Sequence, residues 1–434
     1  MIAYLFKRCV ASCILFCYLL GSAQTVLPKY IQAEQNLEQL YHKRDLFKLR
    51  SQFNRVKSGL PDDKKLFYQA VIDNVFNRCE TSNEMIEQFN KRFPAATDSV
   101  RRALLLLQAD NYSKLYQYQQ AANCYDSLIH SYPALKDSAI REDLEGSKAL
   151  WTAIASVPAQ QISINYPAIV PFQKDKIGLI EVPMTREQDT CNLIFDTGAN
   201  ISVITESNAR KMHMEIYPVN IDVASGISGQ VIQSSLAVSD TLFLGKILIT
   251  NAVFLLLPDD MLYFKQQDYQ QQGIIGQPII SQLEQIIIRQ SGTIEIMNDP
   301  VKNKEYNLAF DGPMPIVNFT VGQDRLPFRF DTGTSSSVLY QPFFTRYKNM
   351  IVKEGTPYEL KSAGVGGMVS TAAAYKLKNF RIDVAGHKVM LPEINVRTTP
   401  LGESENYYGN LGIDLLQGFK SFTINFKEMF IEVE

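Results

Sequence analysis

The tripeptide Asp-Thr-Gly occurs twice in this chain, at Asp196-Thr197-Gly198 and at Asp331-Thr332-Gly333, a displacement of 135. Carboxylates are suited to general acid–base work. Two of them held close together cannot both ionise cheaply, so such a pair retains one proton over a wide pH range. Each copy follows an apolar run ending in phenylalanine and precedes a second β-branched segment. Both aspartates are therefore expected where a buried strand emerges into a tight turn. The glycine permits the turn, and the threonine hydroxyl can bond to backbone or to its counterpart in the other copy. A tripeptide of common residues arises by accident in a chain this long roughly one time in ten, so either copy alone also fits an ordinary hairpin turn with a surface aspartate.

The tripeptides are part of a larger duplication. Ser225-Gly226-Ile227-Ser228-Gly229-Gln230-Val231 is echoed by Ala363-Gly364-Val365-Gly366-Gly367-Met368-Val369 at a displacement of 138. Gly273-Ile274-Ile275-Gly276 is echoed by Gly409-Asn410-Leu411-Gly412 at 136, and Thr293-Ile294-Glu295-Ile296 by Phe430-Ile431-Glu432-Val433 at 137. Four landmarks in one order at near-constant spacing are poor candidates for coincidence, and they weaken the isolated-turn reading. The surrounding residues are β-branched runs (Ile162–Ile169, Ile177–Val182, Val231–Leu244, Ile286–Ile288) punctuated by Gly, Pro, Asn and Asp. They predict an all-β region of two repeats, 158–300 and 301–434.

Residues 24–157 have a different texture, rich in Leu, Gln, Lys, Glu and Tyr with apolar residues at three- and four-residue spacing, which predicts helices. Ala109, Tyr112, Ala121, Tyr125 and Pro133 follow a small-aromatic-small-aromatic-proline pattern, and Ala70, Ile86, Phe89 and Pro94 repeat it more faintly, displaced by 39. Small alanines let paired helices approach, aromatics fill the groove, and proline ends the second helix. The pattern resembles a tetratricopeptide helical hairpin, with a degenerate earlier hairpin over 30–61; an unrelated helical bundle is the alternative.

The whole chain has 434 residues, 46% apolar and 20% charged, which describes a folded protein of two or three domains. With 43 basic and 45 acidic residues the net charge is −2, and no basic stripe argues for nucleic acid. Lys7 and Arg8 precede an apolar run from Cys9 to Leu20 and then Gly21-Ser22-Ala23, the order of a secretory signal peptide over residues 1–23. That run would reach about 18 Å as a helix, short of the ~30 Å hydrocarbon core, so export without a membrane span is expected, to a periplasm or the exterior. Val10-Ala11-Ser12-Cys13 weakly resembles a lipoprotein box but sits too early. Beyond the signal stand Cys79, Cys124 and Cys191, an odd number that rules out a fully paired framework. Cys79 and Cys124 fit either a disulfide or two buried thiols. The four histidines (His42, His130, His213, His387) are dispersed without metal-ligand spacing, and no nucleophile elbow is present; no metal and no cofactor are expected.

On the duplicated Asp-Thr-Gly, Ile274-Ile275-Gly276 with Asn410-Leu411-Gly412, and the two glycine-rich segments, residues from about 160 to 434 resemble the aspartic proteases. Each half looks like a retroviral-type protease subunit, with both halves on one polypeptide as in the pepsin-like enzymes. The resemblance implies an all-β bilobal acid-protease fold of two β-barrel lobes behind a helical domain, acting as a monomer. It implies that Asp196 and Asp331 are catalytic and that Thr197, Gly198, Thr332 and Gly333 support the catalytic loops. It also implies that Gly226, Ile227, Gly229, Gly364, Val365 and Gly367 belong to two flap tips over the substrate. A water between the aspartates would attack the scissile carbonyl of an extended peptide bound by β-augmentation, without metal or covalent intermediate. Neither tip carries the tyrosine of the single pepsin-like flap. Ala199 follows the first Gly and Thr334 the second, so a hydroxyl can donate to one carboxylate only; an asymmetric dyad and a mildly acidic to near-neutral optimum are expected. A peptide-binding module with little hydrolysis is the competing class. The helices could serve as a partner-binding scaffold or an inhibitory pro-region.

Overall fold

The computed structural model describes residues 29–132, 138–224, 231–298, 305–363, 369–400 and 405–434. The expected signal segment, both glycine-rich tips, Pro133 and the division at 300/301 lie outside the described residues. The chain separates into two compact units, one ending at Ala155 and the other spanning Ser156–Glu434.

The first unit holds seven α-helices among its described residues: α1 (Lys29–His42), α2 (Leu46–Val56), α3 (Asp62–Val75), α4 (Cys79–Arg92), α5 (Asp98–Lys114), α6 (Tyr118–Ser131) and α7 (Ser138–Ala153). Each packs on its neighbours in sequence. Three of the reversals share one geometry. Arg44, Asn77 and Tyr116, between α1 and α2, α3 and α4, and α5 and α6, adopt left-handed φ values of 55°, 59° and 57°. The following N–H groups then reach back five residues: Asp45 to the Leu40 carbonyl (3.0 Å), Arg78 to Asp73 (2.7 Å) and Gln117 to Tyr112 (2.9 Å). This closure satisfies carbonyls that a helix end leaves open. Ala70, Ala109, Ala121 and Ile86 are fully buried, and Phe89 and Tyr125 nearly so, as the helix-pairing spacing requires. A buried polar seam stitches α3, α4 and α5: the Asn74 amide donates to Asp110 (2.7 Å) and Asn111 (2.8 Å), and the Asn111 amide donates to Ser82 (2.9 Å) and Asn83 (2.8 Å). Cys79, Cys124 and, in the second unit, Cys191 are free and buried; burial pushes the Cys79 and Cys124 thiols up to about 12, so they are inert packing groups. Among the described residues no helix is long and apolar enough to cross a membrane.

The second unit is largely β, with curled sheets. Six of its strands position the site: β1 (Asp189–Phe195), β2 (Ser202–Thr205), β3 (Gly273–Ile275), β4 (Asp324–Phe330), β5 (Val338–Leu339) and β6 (Gly409–Leu411). Among the described residues, β3 lies in an 11-stranded sheet between β1, to which it runs parallel, and β2, to which it runs antiparallel. In a sheet of 8 described strands, β6 lies between β4 and β5 with the same two directions. Strands covered on both faces read as apolar runs, and in the first half Leu193, Ile194 and Phe195 of β1 and Ile274 and Ile275 of β3 are all buried. A five-stranded sheet pairs Gln285–Arg289 with Ser421–Asn425, joining a strand of each half; Phe422 from it stacks on Phe330 at 5.2 Å.

Some expected strands are shorter than their β-branched runs. Ile162–Ile169 is broken into Gln161–Ser163 and Ala168–Pro171 around Pro167, and Ile177–Val182 begins only at Ile180, after Gly178. The segments flanking both glycine-rich tips form long antiparallel hairpins: Glu215–Ala224 with Val231–Ser239, ending at the pair Ala224 and Val231, and Thr356–Ala363 with Val369–Val384, ending at Ala363 and Val369.

Candidate active site

Both Asp-Thr-Gly segments begin where a buried central strand ends. The Asp196 N–H, at the exit of β1, donates to the Ile275 carbonyl of β3 at 3.0 Å, and the Asp331 N–H, at the exit of β4, donates to Leu411 of β6 at 3.0 Å. Beyond them the chain turns sharply, and the Gly198 and Gly333 N–H groups fold back onto the carboxylates of Asp196 (2.7 Å) and Asp331 (2.9 Å).

The two turns are locked together through their threonines, both fully buried. Thr197 N–H donates to the Thr332 hydroxyl (3.0 Å), and Thr332 N–H donates to the Thr197 hydroxyl (3.1 Å). Each hydroxyl then donates to the opposite strand end, Thr197 to the Phe330 carbonyl (3.3 Å) and Thr332 to the Phe195 carbonyl (2.6 Å). Both N–H groups and both hydroxyls of the threonines thus have partners, as a buried network requires.

The crossing sets each carboxylate against the other turn. A Cβ added at Gly198 would lie 2.4 Å from the Asp331 carboxyl carbon, and one added at Gly333 would lie 2.2 Å from that of Asp196. The glycines are thus fixed by close approach, and the two carboxyl groups share one confined space. Asp196 is held well above the usual carboxylate range, first by burial, then by the charge of Asp331 and a hydrogen bond with it; the Gly198 and Ala199 N–H groups pull the other way. Both aspartates remain only half-buried, so water can reach them. A pair that keeps a proton beside accessible water can supply base and acid in one step.

The carboxylates differ in their donors. Thr334 Oγ1 donates to Asp331 at 2.9 Å, and Asn410 Nδ2 donates to the same oxygen at 3.0 Å. Asp196 has instead the Ala199 N–H at 3.1 Å, and Ile274 stands in the first half where Asn410 stands in the second. The Thr334 hydroxyl was legible in sequence; the reach of Asn410 was not, although a polar residue in an otherwise apolar slot of the repeat marked it. Two serines were also missed. The Ser202 hydroxyl accepts from Gly276 N–H (3.0 Å) and the Ser337 hydroxyl from Gly412 N–H (2.9 Å), tying β2 and β5 to the loops beyond β3 and β6. Their signal was a serine six residues past each aspartate.

Of the expected site residues, Asp196, Thr197, Gly198, Asp331, Thr332 and Gly333 are brought together. Gly226, Ile227, Gly229, Gly364, Val365 and Gly367 lie outside the described residues. No curated protein matches the chain. Residues 182–279, which include Asp196, strands β1 to β3 and Gly276, match the model of a family described as Aspartyl protease. The chain carries an aspartyl protease family domain, which supports a protease-type, hydrolytic function.

Proposed function

We propose that this protein is an aspartic endopeptidase in which Asp196 and Asp331 together activate a water for attack on a peptide carbonyl. The single observation that carries this reading is the mutual approach of the two carboxyl groups across the threonine crossing, with Asp196 raised by burial and by its partner. The ionised member takes a proton from the water as its oxygen bonds to the carbonyl carbon. The protonated member gives its proton to the carbonyl oxygen, so the resulting gem-diol carries no net charge. The protonated member then gives its proton to the amide nitrogen while the other takes one from a diol hydroxyl, so the C–N bond breaks, a carboxylic acid and an amine leave, and the dyad again holds one proton. The proton is a property of the pair.

The same reading makes each half of the β unit a retroviral-type lobe, and the hairpins reaching Ala224/Val231 and Ala363/Val369 the arms of two flaps. An extended peptide or protein substrate would pair with those arms by β-augmentation. The three repeated left-handed reversals favour tetratricopeptide-like hairpins in the helical unit, with a protein partner on their surface. The basic and apolar order of residues 7–23 favours export to a periplasm or the exterior.

The test is cleavage of a mixed peptide library by wild type, Asp196→Asn and Asp331→Asn. Wild type should cut internal bonds and both variants should not, with a statine-type inhibitor blocking the wild type. Cleavage that persists in either variant would overturn the assignment.

A further inference from the structure

Arg329 stands in the second half where Ile194 stands in the first, and Asn410 where Ile274 stands. In each half the two are direct partners across a parallel pair, Ile194 with Ile274 and Arg329 with Asn410. Side chains alternate along a strand, so Arg329, two residues before Asp331, lies on the carboxylate's face. The Asn410 amide, reaching Asp331 at 3.0 Å, marks the same face. Among the described residues, Arg329 Nε and Asn410 Oδ1 are buried with no hydrogen-bond partner. Such a buried donor and acceptor beside a reactive centre are ordinarily completed by water or by a bound group.

The surrounding charge indicates what that is. Arg397 and Glu405 pair at 3.5 Å with side chains 6% and 7% exposed, and the Gln341 N–H also donates to Glu405 (3.2 Å). Buried Tyr340 has Arg329, Glu405, Asp331 and Arg397 all within electrostatic reach. Among the described residues, Glu405 is thus paired with Arg397, and Arg329 forms no ion pair. The corresponding place in the first half is apolar, with Ile194 and Ile274 both buried.

We propose that Arg329 and Asn410 line the pocket for the substrate side chain on the Asp331 side of the scissile bond and select glutamate or aspartate there, whereas Ile194 and Ile274 select an apolar residue on the Asp196 side. A guanidinium takes a carboxylate through two parallel N–H donors. This rests on the peptidase reading and adds the substrate class: bonds joining an apolar residue to an acidic one.

The test uses the full chain. A peptide library first gives the cleaved bonds, which should pair an acidic with an apolar residue. Three peptides differing only by Glu, Gln or Leu at the acidic position are then compared. Wild type should favour Glu over Leu by at least about tenfold in kcat/KM, as sites built around buried polar groups do. Arg329→Leu should reduce that ratio at least about tenfold, and Arg329→Glu should move the preference to Lys. Thermal melting checks that each variant folds; should Arg329→Leu not fold, Arg329→Gln serves, with the same loss of preference. An unchanged ratio, or an equal fall for all three peptides with a displaced pH profile, overturns the proposal and makes Arg329 a positioning residue for the dyad. If wild type cuts nothing, the peptidase reading fails, and calorimetric binding of the Glu and Leu peptides decides the pocket separately: equal affinities overturn it.

Discussion

Asp196 and Asp331 hang from the same backbone scaffold, down to single hydrogen bonds. In both halves the aspartate N–H caps the parallel strand behind it at 3.0 Å, and a serine hydroxyl holds the glycine that follows that strand. What differs is the lining: Ile194, Ala199 and Ile274 around the first carboxylate, Arg329, Thr334 and Asn410 around the second. The constant part sets the position of two carboxylates, and the variable part sets how each is solvated and what lies beside it. Duplication thus preserves geometry while leaving the polarity of each side free to diverge.

The first way to break the comparison is to push the halves apart. Gly198→Ala and Gly333→Ala each place a Cβ within 2.5 Å of the opposite carboxylate, and misplacement on the order of 1 Å costs about 100-fold in rate. Both should lose peptide cleavage to a similar degree in steady-state assays. Next, Thr197→Val and Thr332→Val remove one hydroxyl each and strand an amide and a carbonyl in a buried crossing. Each should cost about 2–5 kcal/mol in denaturant unfolding, and equal losses would support the symmetry of the lock.

Two smaller effects sharpen the difference between halves. Asn410→Ile and Thr334→Ala make the second side resemble the first by removing donors to the ionised pair. The acidic limb of kcat/KM should move to higher pH by about 0.5–1 unit, whereas the mirror change Ala199→Thr should move it down. The smallest effect is on stability. Asp196 is raised in the fold above its unfolded value of 3.8, so its contribution is fully present below that value and is lost as pH rises through the folded one. Asp196→Asn escapes that loss. Its Tm should exceed that of wild type by about 2–4 °C at neutral pH, with the gap closing near pH 3.

The aspartates were legible because the chemistry and the close approach admit few substitutes: Asp for the carboxylate, Gly where a Cβ would collide, Thr where both a donor and an acceptor are needed. The helical pairing was legible from Ala70, Ala109 and Ala121, since buried helix contacts demand small residues at fixed spacing. The left-handed reversals at Arg44 and Tyr116 were not, because neither residue type favours that conformation and only the neighbouring packing holds it there. The role of Asn410 was equally hidden. It depends on a strand register that places residue 410 beside 329 and brings its amide to Asp331, which no local pattern encodes. The limits of Ile162–Ile169 show the converse, a β-branched run cut by a single proline.

The central claim is that Asp196 and Asp331 work as one unit. It is tested most directly by kcat/KM for a cleaved peptide in wild type, Asp196→Asn, Asp331→Asn and the double variant. Groups that act together lose their effect together, so each single change should remove about 1,000-fold or more and the double change should add almost nothing. Losses that multiply in the double variant, or a single variant that keeps most of its activity, would contradict the account.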